Sequence, residues 1–238
     1  MQSLWADVRG AFAFLTVLPI PWPESSRPGR TLAYYPLVGL AIGAAVAGVA
    51  ALDGLPDGLR SFLALAGWVI LTGGLHLDGF GDACDGLLAT VEPARRLEIM
   101  KDPQAGSWAV IGLILLLLGK WTALGAVEPV RLILPPVIGR WAMVLAVAGF
   151  PYARASGLGS FFRDGFGRAQ VAIASLTALI ICAAYGPPVM LSGLAGPALA
   201  WAGGHWAARR LGGGLTGDVY GALCELTELV CLILLGSL

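Results

Sequence analysis

Charge is what this sequence has least of. Lys, Arg, Asp and Glu make up 13% of its 238 residues against 57% hydrophobic residues, and the mean hydropathy is +0.79. Soluble domains carry roughly 25% charged residues, so that class is excluded. The 15 basic and 15 acidic side chains cancel, and no basic stripe is present, which removes the usual signature of a nucleic-acid binder. Paired cysteines are missing too. Cys84, Cys182, Cys224 and Cys231 are scattered without metal-ligand spacing, and three lie in or beside apolar runs, where cysteine acts as a small hydrophobe. Asp7 and Arg9 interrupt the N-terminal apolar stretch, which ends at Pro19-Ile20-Pro21-Trp22-Pro23 with no small-residue cleavage site, so no signal peptide is expected. No linker, repeat or low-complexity tail divides the chain, and a single domain over residues 1–238 is expected.

Long apolar runs are what remains. A helix needs about 20 mostly apolar residues to cross a hydrocarbon core of ~30 Å. Seven segments qualify or nearly qualify: 33–52, 60–77, 105–127, 130–149, 169–186, 187–207 and 219–238. The shorter, charged segment 4–18 reads as an interfacial or re-entrant helix. The expected fold class is therefore all-α, a polytopic membrane bundle of about seven transmembrane helices plus that N-terminal helix. Glu128-Pro129 and Gly186-Pro187-Pro188 make short connections, hence helical hairpins. Gly39, Gly43 and Gly48 read as a packing face, because small residues let helices approach closely in lipid.

Lys and Arg set the orientation. Eleven (Arg9, Arg27, Arg30, Arg95, Arg96, Lys101, Arg154, Arg163, Arg168, Arg209 and Arg210) fall at one set of span ends, and only Arg60 and Arg131 at the other. The N-terminus is then cytoplasmic and the C-terminus on the far side.

Two acidic clusters fall on that same cytoplasmic side. The first lies in Leu75-His76-Leu77-Asp78-Gly79-Phe80-Gly81-Asp82-Ala83-Cys84-Asp85-Gly86. If the second span continues through it, the i, i+4, i+7 spacing puts Asp78, Asp82 and Asp85 on one helical face. Carboxylates so arranged repel unless a cation sits among them, and hard divalent cations take oxygen ligands. Gly79, Gly81 and Gly86 weaken the helix and leave room for a bulky ligand near the backbone. His76, beside the acids, is a candidate proton acceptor.

The second cluster is Gly212-Gly213-Gly214-Leu215-Thr216-Gly217-Asp218, with Glu225 and Glu228 on the helix that follows. The glycine run suits a tight loop whose N–H groups hold phosphate oxygens, and Asp218 also reads as a helix N-cap. Glu228 and Arg140 each fall near the middle of a span, about 15 Å from the helix end, and are expected to pair because an isolated charge there is expensive. Lys120, nearer the outer end of its span, is expected to snorkel. Residues 157–167, with Phe161, Phe162 and Phe166, read either as a cover over a large ligand or as an interfacial anchor.

These segments, with Ile99-Met100-Lys101-Asp102 and Gly106, and the N-terminal Phe14-Leu15-Thr16-Val17-Leu18-Pro19-Ile20-Pro21 and Tyr35-Pro36-Leu37-Val38-Gly39, resemble the cobalamin synthase (adenosylcobinamide-GDP ribazoletransferase) family over nearly the whole chain. The resemblance implies a multi-pass enzyme of the bacterial inner membrane, with its site on the cytoplasmic side and Mg²⁺ as cofactor. It would transfer the cobinamide-phosphate group of adenosylcobinamide-GDP to the 3′-hydroxyl of α-ribazole or α-ribazole 5′-phosphate, releasing GMP. Those substrates and the lipid bilayer are the implied partners; nucleic acid is not, and a homo-oligomer is compatible. Asp78, Asp82, Asp85 and Asp218 are the implied metal ligands, directly or through water, with Glu225 as a further ligand or a shaper of the site. Lys101 and Arg95 would contact phosphate alongside Gly213, Gly214 and Thr216, and either His76 or Asp82 would take the hydroxyl proton.

Two other readings stand beside it. A membrane phosphotransferase of the CDP-alcohol type also uses carboxylates and Mg²⁺, but no Ala-Arg follows Asp78-Gly79, and Asp82 and Asp85 come too soon. A divalent-cation transporter would place its acids along a path and break its helices in matching halves; here most acids sit at one boundary.

Overall fold

The computed structural model describes residues 2–154 and 157–238, which are helical almost throughout, with one isolated bridge (Tyr152 to Leu215) and no sheet among them. The chain opens with α1 (Gln2–Leu15), which buries Ala11 and Leu15 and exposes Leu4 and Trp5. A one-turn α2 (Pro28–Thr31) leads through a 3-10 turn into α3 (Tyr35–Ala50). Asp7 ties these pieces together: it is buried, pairs with Arg30 at 2.9 Å and accepts from the Ser26 hydroxyl at 3.0 Å.

The second apolar segment is not one continuous helix. It forms α4 (Asp57–Thr72) and α5 (Leu75–Leu88), which meet at 90°. Gly73 and Gly74 make the corner with φ of 63° and 67°. Two successive left-handed residues are open to glycine and strained for anything with a Cβ. The acidic stripe therefore lies on a helix of its own. At 1.5 Å per residue α5 is about 21 Å long, too short to cross a core of ~30 Å alone, and with α4 it forms a sharply bent pair.

The remainder runs α6 (Pro93–Ile99), α7 (Ser107–Leu124), a 3-10 turn into α8 (Leu134–Gly149), the short α9 (Leu158–Phe161), α10 (Arg168–Ala183), the short α11 (Pro187–Met190), α12 (Ala195–Arg210) and α13 (Gly217–Gly236). Among the described residues four stretches are long and apolar enough to cross a membrane: Pro28–Ala50, Ser107–Leu124, Pro129–Gly149 and Gly217–Gly236. The bent pair α4 and α5 would make a fifth. The expected spans at 169–186 and 187–207 correspond to the 16-residue α10 and to a stretch that passes through a 3-10 turn at Leu191–Leu194 before α12, each helix shorter than the four above. The connection expected at Gly186-Pro187-Pro188 is present, with Gly186 at a φ of 84°; hydropathy alone does not register the 3-10 turn at Leu191–Leu194.

At the centre is α8, buried along most of its length between α3 and α13. Cβ atoms on Gly39 and Gly43 would fall on the Pro136 and Ile133 carbonyls, so these two glycines set the α3–α8 approach. Gly48 meets nothing within 4 Å and takes no part. On the other flank a Cβ at Gly139 would come 3.1 Å from the Cys224 carbonyl oxygen, which brings α13 close.

The interior carries charge. Arg140 of α8 and Glu228 of α13 form an ion pair with both residues 0% exposed. Lys120 does not snorkel. It is 3% exposed, donates to both Glu225 and Glu228, and lies 4.6 Å over the Trp68 ring. Two carboxylates one helical turn apart give the ammonium a closer partner than the membrane surface, and the four groups sum to zero charge.

Candidate active site

The close crossing of α5 over α13 builds one end of the bundle. A Cβ on Gly79 would lie 3.0 Å from Asp218 Cα, and one on Gly221 would lie 3.2 Å from the His76 carbonyl oxygen. The glycines of the first cluster thus admit protein rather than ligand: Gly79 faces α13, Gly81 faces Ala109 and Leu113 of α7, and Gly86 faces Met100 and the Arg96 carbonyl. Arg96 and Arg210 close the other end of α5 by donating to the Leu87 carbonyl, a favourable place for cations.

Asp78, Asp82 and Asp85 share a face of α5, as their spacing predicts, and the crossing sets Asp218 among them. Thr216, not Asp218, is the N-cap of α13; its Oγ1 accepts from the Val219 N–H at 3.3 Å. Asp218 is left to pair with Arg154 at 2.8 Å. Asp85 accepts from the Gly106 N–H at 2.6 Å and the Ala109 N–H at 2.9 Å, so it caps α7 from a neighbouring helix. No protein cation is paired with Asp78 or Asp82 among the described residues. Burial first, and then the charges of Asp218 and Asp78, push the Asp82 carboxyl up to about 6.

The described residues contain no set of three His, Cys, Asp or Glu that closes a metal site by itself. Mg²⁺ does not need one, since it commonly takes one or two carboxylates with water and substrate phosphate. Asp78 and Asp82, which no protein cation pairs among the described residues, and Asp218 beside them are the carboxylates available for such a role.

The other expected site residues are distributed as follows. Glu225, two turns below Asp218, is buried and bonded to Lys120 rather than to the acids. His76 is 3% exposed, with Nδ1 3.5 Å from Arg140 Nη2. Lys101 is exposed on the turn before α7, and Arg95 is exposed and paired with Glu98 at 2.8 Å. In the glycine loop the Gly213 N–H already donates to Ala208 at 2.8 Å and the Leu215 N–H to Pro151 at 2.9 Å. A Cβ on Gly214 would sit 2.8 Å from the Pro151 carbonyl oxygen. With Thr216 fully buried as a cap, this loop chiefly fastens the start of α13 to residues 151–153.

Beside the acids lies a cavity of about 220 Å³. Phe14, Leu32, Met143, Val147 and Phe162 supply apolar wall, while His76, Asp78, Tyr152, Arg154, Asp218 and Tyr220 supply polar groups. Phe162 from the aromatic loop packs against Phe14 with tilted rings 4.3 Å apart between centres, so that loop is part of the wall; Phe161 stays exposed. Arg154, Tyr152 and Tyr220 are the residues that sequence reasoning undervalued. Arg154 carried no signal to separate it from the arginines that set topology.

A family model described as cobalamin-5-phosphate synthase matches residues 7–236. The chain belongs to that family. The matched range takes in both acidic segments, Arg154 and the residues of the cavity wall. Among curated proteins it is similar to the adenosylcobinamide-GDP ribazoletransferase of Pseudomonas savastanoi pv. phaseolicola, 41% identical over 96% of this chain and 98% of the relative. The protein of that name from Deinococcus radiodurans is 41% identical over 93% of this chain and 82% of the relative, and that from Desulforamulus reducens 38% identical over 98% of each. No solved structure matches this member of the cobalamin-5-phosphate synthase family.

Proposed function

We propose that this chain is an adenosylcobinamide-GDP ribazoletransferase of the bacterial inner membrane, with its site on the cytoplasmic side. The observation that carries the reading is the Arg154–Asp218 pair, with Asp78, in the wall of a largely apolar cavity close to Asp82, in a chain so similar to curated proteins of that name. The cytoplasmic placement is supported by charge. Arg154, Arg163 and Arg210 lie at the cavity end, whereas Arg60 lines a small cavity with Ala50, Leu124 and Pro129 at the opposite end. We further propose a seven-crossing topology, in which α10 and α12 cross with help from the turns that flank them.

In the reaction the 3′-hydroxyl oxygen of α-ribazole, or of its 5′-phosphate, bonds to the phosphorus nearer cobinamide. The bond from that phosphorus to the bridging oxygen breaks, and GMP departs with that oxygen. The work of the protein is positioning and charge neutralisation. Mg²⁺ held by Asp78, Asp82 and Asp218 would neutralise the diphosphate and the departing GMP. Arg154, held between Asp218 and the Met100 carbonyl, turns its guanidinium to the same oxygens. Lys101 and Arg95, both exposed and outside the cavity wall, contribute at most long-range attraction for the anionic substrate. Of the two candidate proton acceptors, His76 already faces Arg140 through Nδ1, which leaves Asp82. Asp85 holds α7 in register and Glu225 balances Lys120, so both support the site without touching substrate.

Mass spectrometry of the products tests the point of attack. Attack beside cobinamide yields GMP and a cobinamide–phosphate–ribazole diester; attack at the other phosphorus would yield cobinamide phosphate and a guanylyl-ribazole, and would overturn the reading.

A further inference from the structure

The loop that supplies Phe162 to the cavity wall also has an outer side. It lies against α2, where the Gly29 N–H donates to the Asp164 carbonyl at 2.8 Å and a Cβ on Gly29 would fall 2.5 Å from the same oxygen. Backbone meets backbone there, so the loop joins the start of Pro28–Ala50 without a gap. Arg163 fastens its other edge by donating to the Phe150 carbonyl, just past the end of α8. The two phenylalanines divide between the sides of the loop. Phe162 turns inward against Phe14, whereas Phe161 stays exposed, with the ring of the equally exposed Trp22 6.1 Å away between centres.

Depth and charge identify what meets that outer side. Pro28 opens one stretch able to cross a membrane, Gly149 closes another and Arg168 opens α10. The loop touches the first two and leads into the third, so it sits where the chain leaves hydrocarbon, the level that favours exposed rings such as Trp22 and Phe161. Arg27 and Arg168 are exposed there, and neither is paired with a carboxylate among the described residues. Arg27 lies along Gly165, whose added Cβ would come 3.1 Å from the Arg27 Cβ, and Arg168 follows three residues on. The acids of these segments are Glu24 and Asp164; Arg30 is already matched by Asp7, and Arg27, Arg163 and Arg168 leave the surface net positive. A zwitterionic headgroup would bring an ammonium to it together with phosphate, whereas an anionic one brings phosphate without that cation. We propose that this surface binds the phosphodiester headgroup of an anionic phospholipid, with Arg27 and Arg168 on its phosphate oxygens and Trp22 and Phe161 at the acyl-chain boundary, and that the bound lipid holds Phe162 in the cavity wall. The lipid site stands without the transferase reading above; only its effect on turnover rests on that reading.

The test places purified full-length protein in nanodiscs of phosphatidylcholine, alone or mixed with phosphatidylglycerol. Wild type is compared with Arg27→Gln, Arg168→Gln, the two combined, and Arg209→Gln, which removes another exposed arginine at the end of α12. Native mass spectrometry counts the phospholipids that stay bound, and product formation gives kcat and KM. Wild type should retain phosphatidylglycerol in preference to phosphatidylcholine. Each of Arg27→Gln and Arg168→Gln should lower that retention about fivefold, the worth of one arginine at an anionic surface, and the combined variant should show no preference. Arg209→Gln should behave as wild type. In the mixed discs wild-type kcat should rise about threefold and the combined variant's should not. A general field of the anionic bilayer would repel an anionic substrate and raise KM instead. Equal retention of both lipids by wild type, or an equal loss in Arg209→Gln, would overturn the proposal. So would a KM for adenosylcobinamide-GDP raised alike in both discs by Arg27→Gln, which would give these arginines to the substrate's diphosphate. Retained phosphatidylglycerol with the same kcat in both discs would overturn the link to Phe162. Selective retention without transfer in either disc would uphold the lipid site and remove the transferase reading.

Discussion

Arg140 and Glu228 face each other between α8 and α13 at the most enclosed point of the bundle, each fully buried. Their pairing follows from sequence position alone, since each falls near the middle of an apolar span where a lone charge is expensive. What the structure adds is a second cation. Lys120 also bonds Glu228, and Glu225 balances it.

That second cation determines how the pair responds to mutation. A charge swap at Arg140 and Glu228 would set a new arginine beside Lys120 and should restore little folded protein. Removing Arg140 alone (Arg140→Met) should destabilise by about 3–5 kcal/mol, the effect of stranding a buried charge. Arg140→Met with Glu228→Met leaves Lys120 and Glu225 matched, and should recover most of the loss. Thermal unfolding followed by size-exclusion chromatography in detergent measures both; no recovery in the double variant would contradict the network.

The motif glycines should divide by what they face. Gly79→Ala drives a methyl toward the Asp218 backbone at 3.0 Å, where nothing flexible can yield. It should lower transfer at least tenfold by parting α5 from α13. Gly81→Ala meets only the Ala109 and Leu113 side chains at 3.4 Å, and should keep activity while stabilising α5 by up to about 1 kcal/mol. Turnover and melting temperature of the two variants side by side decide it, and equal damage from both would refute the crossing.

The arginines should divide in the same manner. Arg154 lines the cavity and holds Asp218, whereas Arg95 is an exposed partner of Glu98. Arg154→Ala should lower kcat/KM about 100-fold, the scale of losing one charge-stabilising contact in a transition state. Arg95→Ala should change it less than twofold, as surface ion pairs contribute little. Steady-state kinetics with adenosylcobinamide-GDP separates the two.

Asp82→Asn carries a paired prediction. Transfer should fall by 100-fold or more, while the metal-free protein melts at the same or a higher temperature. The charged Asp82 is disfavoured in the fold by burial and by Asp218 and Asp78, and a neutral amide removes that penalty. A joint loss of fold and activity would mean that Asp82 is structural.

How much of this was legible beforehand depended on whether the deciding contact was local. The stripe of Asp78, Asp82 and Asp85 is a matter of helical period and was readable; so was the Arg140–Glu228 pair, because only another charge can satisfy a charge at the midplane. The corner at Gly73-Gly74 was not, since two glycines in an apolar run read equally well as close packing. Lys120 read as a snorkelling residue because its partners lie 105 and 108 residues away. The same holds for Gly79 and Gly86, whose neighbours come from α13 and α6, and for Asp218, whose capping role passed to Thr216. The change of helix type at Leu191–Leu194, inside the segment 187–207, was not legible, since summed hydropathy does not register it. Arg154 needed the fold outright: only the crossing of α5 and α13 shows that this arginine meets the acids.

The most direct measurement is GMP release by the purified chain from adenosylcobinamide-GDP, with and without α-ribazole and with and without Mg²⁺. The account predicts GMP and a cobalamin product in equal amounts only when acceptor and metal are both present, and neither from the Asp82→Asn variant. GMP released without acceptor, or no product from well-folded protein with everything supplied, would contradict it.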